Sequence, residues 1–177
     1  MGYYNNSHIS WSKMRKILEQ ENICESLKGR VQYFQTSYGS GSQTRIAIRV
    51  DKKEVLKSSY YPFWRGVVDI ATTERAMTGK TDYNSAVNKM RNQGQDDSFF
   101  HSFYQYQNQS IDKSLTDENP FVRLFAIMDR RVGKRTLQKL VHETEKQPAW
   151  LQPFYRLRLE ADGVLKDKLT KSSQKGK

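Results

Sequence analysis

The chain has 177 residues with a single cysteine and no apolar run of membrane-spanning length, which excludes an internally disulfide-stapled scaffold and a helical membrane protein. Apolar residues make up 36% and aromatics 12%, and the large area each buried ring removes from water makes a folded core the expectation. Thirty Lys and Arg against nineteen Asp and Glu leave a formal charge of +11, which favours nucleic acid, an acidic protein or another polyanion as partner.

That charge is unevenly spread. From Lys166 onward five lysines stand against Asp167, so four of the surplus charges fall there and seven on the remainder. The lone Cys24 carries no trace of an oxidising compartment, and the opening Met1 to Asn6 lacks both a basic region and an apolar run, so a cytoplasmic location is expected. Length favours one α+β domain over residues 1–165 followed by a disordered Lys-rich tail over 166–177.

In chain order, Ser10 is placed to cap a helix in which Trp11, Met14, Ile17 and Leu18 recur at three- and four-residue spacing. Leu27 to Arg30 turns into a β-forming run, Val31 to Tyr38, broken by Gly39 to Ser42 as a hairpin connection. In the return strand Ile46, Ile48 and Val50 alternate with Arg45, Ala47 and Arg49, so one face is apolar and the other largely basic. Asp51 to Glu54 makes a second turn, and Val55 and Leu56 belong to a third strand. Val31 to Ser59 thus reads as an antiparallel meander that needs a helical cover on its apolar face.

Pro62 to Gly79 reads as helix despite Gly66, and Asp82 opens a further helix that runs to Gly94. Phe99, Phe100, Phe103, Tyr104 and Tyr106 have the spacing of a core-facing helix, although such aromatics are also able to stack on bases. Asn119-Pro120 starts a helix that is apolar around nearly its whole circumference through Met128, the expected centre of the fold. Gly133 is expected to end it in the left-handed conformation. Leu137, Leu140 and Val141 mark a second helix closed by Gln147-Pro148. Phe154, Leu157 and Ala161 mark a third, from about Gln152 to Gly163. The whole predicts an α+β fold: an N-terminal helix, a three-stranded antiparallel β-meander, and a helical C-terminal half with an αα-hairpin.

Three segments carry a family resemblance: Ser26-Leu27-Lys28-Gly29-Arg30-Val31; Asp129-Arg130-Arg131-Val132-Gly133-Lys134-Arg135, followed by Leu137; and Phe154-Tyr155-Arg156-Leu157-Arg158 before Glu160-Ala161-Asp162-Gly163. With them the chain resembles an uncharacterised family of small, mostly bacterial proteins without an established activity. The resemblance implies a single unit with a β-meander and a helical C-terminal half, and no substrate, cofactor or catalytic residue. The order helix, three antiparallel strands, helix is also similar in topology to a double-stranded RNA-binding domain. The phosphate-gripping lysines of that family have no counterpart in Tyr60 to Gly66, which holds one basic residue.

The candidate chemistry is electrostatic. Helix, glycine-containing turn and helix from Asn119 to Lys146 has the outline of a DNA-reading helix-turn-helix that would offer Lys134, Arg135, Gln138, Lys139 and His142. An αα-hairpin is the commoner reason for such a pattern. Asp129 is expected to act as a structural clasp, pairing with Arg130, Arg131, Lys134 or Arg135, and arginines in excess of one carboxylate stay free for an external anion. Arg45, Arg49, Arg130, Arg131, Lys134 and Arg135 are therefore the anion- or nucleic-acid-binding candidates.

No catalytic or metal site and no cofactor are expected. Asp51, Glu54 and Lys57 miss the spacing of a nuclease core, and His8, His101 and His142 are too scattered to hold a metal. Cys24 lacks a nearby histidine. Gly39 to Ser42 lacks the Lys-Ser/Thr that follows a phosphate-binding loop. Trp11, Trp64 and Trp150 read as packing anchors. The competing expectation is an accessory subunit that docks a partner through aromatics at Tyr60 to Trp64 or Phe99 to Tyr106.

Overall fold

A helix needs a partner for its first free N–H groups, and Ser10 supplies one by accepting from the Lys13 N–H at 3.2 Å. Helix α1 (Trp11–Lys16) continues into a π-helical turn, Ile17–Glu21. In the computed structural model, residues 9–38 and 43–165 are described. The polar start, the hairpin connection Gly39 to Ser42 and the proposed disordered tail lie outside the described residues.

Strands β1 (Val31–Tyr38), β2 (Gln43–Val50) and β3 (Lys53–Ser59) form an antiparallel sheet in the order β1-β2-β3. Asp51 and Lys52 turn β2 into β3 with φ of 49° and 68°, a left-handed pair that a two-residue hairpin demands and that non-glycine residues rarely adopt. Arg30 braces this turn with a two-pronged bond to Asp51, Nε to Oδ1 at 2.9 Å and Nη2 to Oδ2 at 2.8 Å. The guanidinium holds the Asp51 carboxyl below its ordinary range. β1 is an edge strand, and the Glu19 carboxylate accepts from its Tyr33 N–H at 2.7 Å. One backbone donor that an added strand would use is thereby taken.

Tyr33, Ile48 and Leu56 stand side by side across the sheet and are buried. They face helix α6 (Pro120–Met128), reached through the Tyr33 and Phe125 rings at 5.7 Å. Every residue of α6 except Arg123 is buried, as its nearly unbroken apolar sequence requires. Asn119 caps it by accepting from the Phe121 N–H at 3.0 Å, with Pro120 at the start. The aromatic run forms helix α4 (Phe100–Gln107), whose Phe103 and Tyr106, with Phe99 just before it, pack on α6. Helix α5 (Ile111–Leu115) and helix α8 (Gln152–Ala161) complete the layer around α6.

Helices α2 (Tyr60–Thr78) and α3 (Tyr83–Asn92) enclose a second, smaller apolar cluster of Phe63, Val67, Ala71, Ala86 and Met90. Gly66, unfavourable in a helix by propensity, has a packing reason: a Cβ there would collide with the Met90 thioether. Trp64 and Trp150 tie the two clusters together. The first donates to Asp97 Oδ2 and the second to the Arg91 carbonyl, both at 3.0 Å.

One turn differs from the sequence expectation. Gly133 has φ of −79° and precedes helix α7 (Lys134–Leu140) as its N-cap, so it does not end α6 in the left-handed conformation. The chain leaves α6 at Asp129, which is extended and forms an isolated antiparallel bridge with Ile23. Cys24 N–H donates to the Met128 carbonyl at 2.9 Å and Arg130 N–H to the Asn22 carbonyl at 2.7 Å. A long-range backbone pairing thus terminates the helix where a local glycine cap was expected. From α7 the chain continues through a 3-10 segment, Val141–Lys146, to α8.

Candidate functional site

The three segments singled out in the sequence converge on one buried polar knot. Arg158 of α8 is 2% exposed. Its Nη1 donates to the carbonyls of Ile127 at 3.1 Å and Asp129 at 2.9 Å, its Nη2 to that of Val132 at 3.0 Å, and its Nε to Asp162 Oδ2 at 2.6 Å. Asp162 in turn accepts from the Ser26 hydroxyl at 2.6 Å. A charged group this deep is tolerated because one carboxylate neutralises it and main-chain oxygens take three of its remaining four donors.

Asp129, 1% exposed, is a second acid of the same knot. Its carboxylate accepts from the Arg131 N–H at 2.8 Å, from Arg131 Nη2 at 2.7 Å, and from the Tyr106 hydroxyl. The Tyr106 oxygen also accepts from Asn22 Nδ2 at 3.0 Å. Burial and the bond to Asp129 both push the Tyr106 hydroxyl pKa up, and the bond to Asp129 raises that of the Arg131 guanidinium. Arg131 is thereby committed to the chain's own carboxylate.

The other cations of this region are not. Arg130, Lys134 and Arg135 are exposed and make no ion pair among the described residues. Gln138, Lys139 and His142 are exposed as well, so α7 and the turn after it show solvent a largely basic face. Glu143 beneath them pairs with Lys146 at 2.9 Å.

Arg45 and Arg49 lie elsewhere, on the sheet face turned away from α6. There Phe34 pairs with Ala47, which in turn pairs with Lys57. The Arg49 guanidinium sits 4.3 Å from the Phe34 ring centre, and Arg15 reaches the same ring at 5.4 Å. Such stacking orients a guanidinium while leaving its edge free to donate. Glu54 pairs with Arg45 on this face. The six candidate residues therefore form two surfaces, one on the sheet and one after α6, where the exposed Arg131 is tied to the buried Asp129.

The remaining sequence candidates are otherwise placed. Asp51 is held by Arg30 and Glu54 by Arg45. Cys24 is buried, with Sγ 3.4 Å from the Ser26 hydroxyl. Phe63, Phe99, Phe103 and Tyr106 are core, while Tyr61 and Tyr104 are exposed. Sequence reasoning missed Arg158 as the centre of the knot. Its one local signal was the four-residue spacing to Asp162, which marks a helical ion pair and carries no information about the distant carbonyls.

Among the described residues no helix is long and apolar enough to cross a membrane. No curated protein and no solved structure matches the chain. The three converging segments lie largely within one family match, and the chain belongs to the SF0329 protein family, whose model covers residues 10–159.

Proposed function

We propose that this protein is a non-enzymatic polyanion-contacting protein, that nucleic acid is its partner, and that the outward face of the sheet is the principal contact. The observation that carries this reading is the grouping of Arg45, Arg49 and Lys57 around the half-buried Phe34, with Glu54 as the acid paired on that face. Guanidinium and ammonium groups on an open sheet face suit the phosphates of a strand, and an aromatic among them offers a base a stacking platform. The exposed Arg130, Lys134 and Arg135 extend the contact as a second, separate patch.

Titration with salt of the binding to labelled random-sequence duplex and single strand tests the reading. Displaced counterions make the affinity fall steeply with salt, and each phosphate contact removed lowers the slope by about one. Arg49→Glu and Lys57→Glu are expected to weaken binding more than Arg130→Ala with Arg135→Ala. No binding at low salt to either strand form removes the nucleic-acid reading.

A further inference from the structure

A cleft of about 540 Å³ opens between α3, α4 and the segment from α5 to Asn119, and none of the residues of the two basic surfaces lines it. Its wall is of mixed character, with Val87 part of it, but most of its side chains carry polar groups, Asn84, Asn88, Arg91, His101 and Gln105 included. A cleft of this size holds a small molecule, and polar groups placed along its wall select one with matching polar groups.

Arg91 is the group that gives the cleft a chemistry. It is 8% exposed, and its Nε donates to Asp96 Oδ2 at 2.8 Å. Its two terminal nitrogens have no hydrogen-bond partner among the described residues, yet they are not among the buried polar atoms cut off from solvent. A guanidinium has five donors in a planar fork, and one edge remains to be used. The acids along the cleft are accounted for differently. Asp117 already accepts from Gln105 and Gln109 side chains and the Asn119 N–H, at 2.8, 2.9 and 2.9 Å. Glu118 is exposed at the rim, as is Lys113.

We propose that this cleft binds the oxyanion group, carboxylate or phosphate, of a small polar molecule, with the free edge of Arg91 as the anchoring cation and Lys113 as a second positive group at the rim. The carboxamides of Asn84 and Asn88 and the free oxygen of Gln105 are placed to read the uncharged part of such a molecule. His101 has its imidazole pKa lowered by burial and by the charge of Arg91, so at neutral pH it offers one donor and one acceptor without adding charge.

Titration with inorganic phosphate and, separately, with acetate, against sodium chloride of equal ionic strength, tests the site by NMR of the histidine rings and the side-chain amides. A saturable shift of His101 and of the Asn88 amide is expected, with His142 unmoved. Saturation by phosphate assigns the group as a phosphate, and by acetate as a carboxylate. Asn88→Asp and Lys113→Glu, both at solvent-reached positions, each put a negative charge beside the bound anion and should weaken the binding by at least about tenfold. Arg49→Glu on the sheet should leave it unchanged, which separates this site from the polyanion surface. Shifts that do not saturate in either arm, that appear equally at His142, or that survive both cleft variants overturn the proposal.

Discussion

Arg158 Nη1 lies 2.9 Å from the carbonyl oxygen of Asp129, so a side chain of the last helix takes up the acceptor left free where the central helix ends. The same guanidinium reaches Ile127, Val132 and Asp162. Lysine offers one compact ammonium and cannot reproduce this planar fork. Arg158→Lys is expected to lower the unfolding free energy by about 3 kcal/mol, and Arg158→Met by at least as much, because each leaves buried oxygens or Asp162 unpaired. Urea unfolding of the variants at constant m-value measures this. A loss below about 1 kcal/mol for both would mean that the knot is not held from α8.

The Tyr106 hydroxyl donates to Asp129 within the same knot. Tyr106→Phe removes that donor and is expected to cost about 1 to 3 kcal/mol, while Asp129→Asn also strips the partner of Arg131. The two changes should not add, since they delete one shared bond. Additive losses in the double variant would place the two groups in independent environments.

Arg131 and its neighbours should separate by readout. Arg131→Ala is expected to destabilise the fold, whereas Arg130→Ala, Lys134→Ala and Arg135→Ala should each stay within about 0.5 kcal/mol of the wild type. Thermal unfolding of the four variants checks the division. An equal loss for Arg130→Ala would reveal a tie for that side chain that the geometry does not contain.

The regular elements were legible because their signals are local. Period-two alternation marks β2, Ser10, Asp82 and Asn119 cap the helices they precede, and the unbroken apolar run from Phe121 to Met128 marks the central helix. The sites were legible only in part. Six cations stood out by charge, but charge alone does not tell Arg131, bonded to the buried Asp129, from Arg130, which has no ion pair among the described residues though both are exposed. That difference depends on Tyr106 and Asn22, which are distant in sequence. The misplaced helix end has the same origin, because the Ile23 to Asp129 bridge is non-local and Gly133 advertised a local cap. The cleft around Arg91 gave no sequence signal, since its wall comes from three segments whose polar residues look individually like solvated surface.

The glycines give that lesson a direct test. A Cβ at Gly133 would meet nothing within 4 Å, and its φ of −79° suits any residue. Gly94 has φ of +78°, with the Trp150 ring 3.0 Å and Leu56 3.1 Å from such a Cβ. Gly133→Ala is therefore expected within about 0.5 kcal/mol of the wild type, and Gly94→Ala to lose about 1 to 3 kcal/mol. A large loss for Gly133→Ala in a denaturant series would restore the left-handed cap that the observed backbone lacks.

Burial pushes the Asp96 carboxyl pKa up to about 7 even with Arg91 beside it. A carboxyl whose folded value exceeds its unfolded one holds its proton more tightly in the folded chain. Its contribution to stability is full below the unfolded value of 3.8 and is lost as pH rises through about 7. Asp96→Asn keeps the neutral shape and removes the titration. The unfolding free energy of the wild type relative to Asp96→Asn should accordingly be greater at about pH 5 than at about pH 8. Comparing the two proteins at each pH cancels the titration of every other carboxylate, Asp51 with its lowered value included. A difference that stays constant, or that grows towards alkaline pH, would show that Arg91 holds the carboxylate ionised throughout the range.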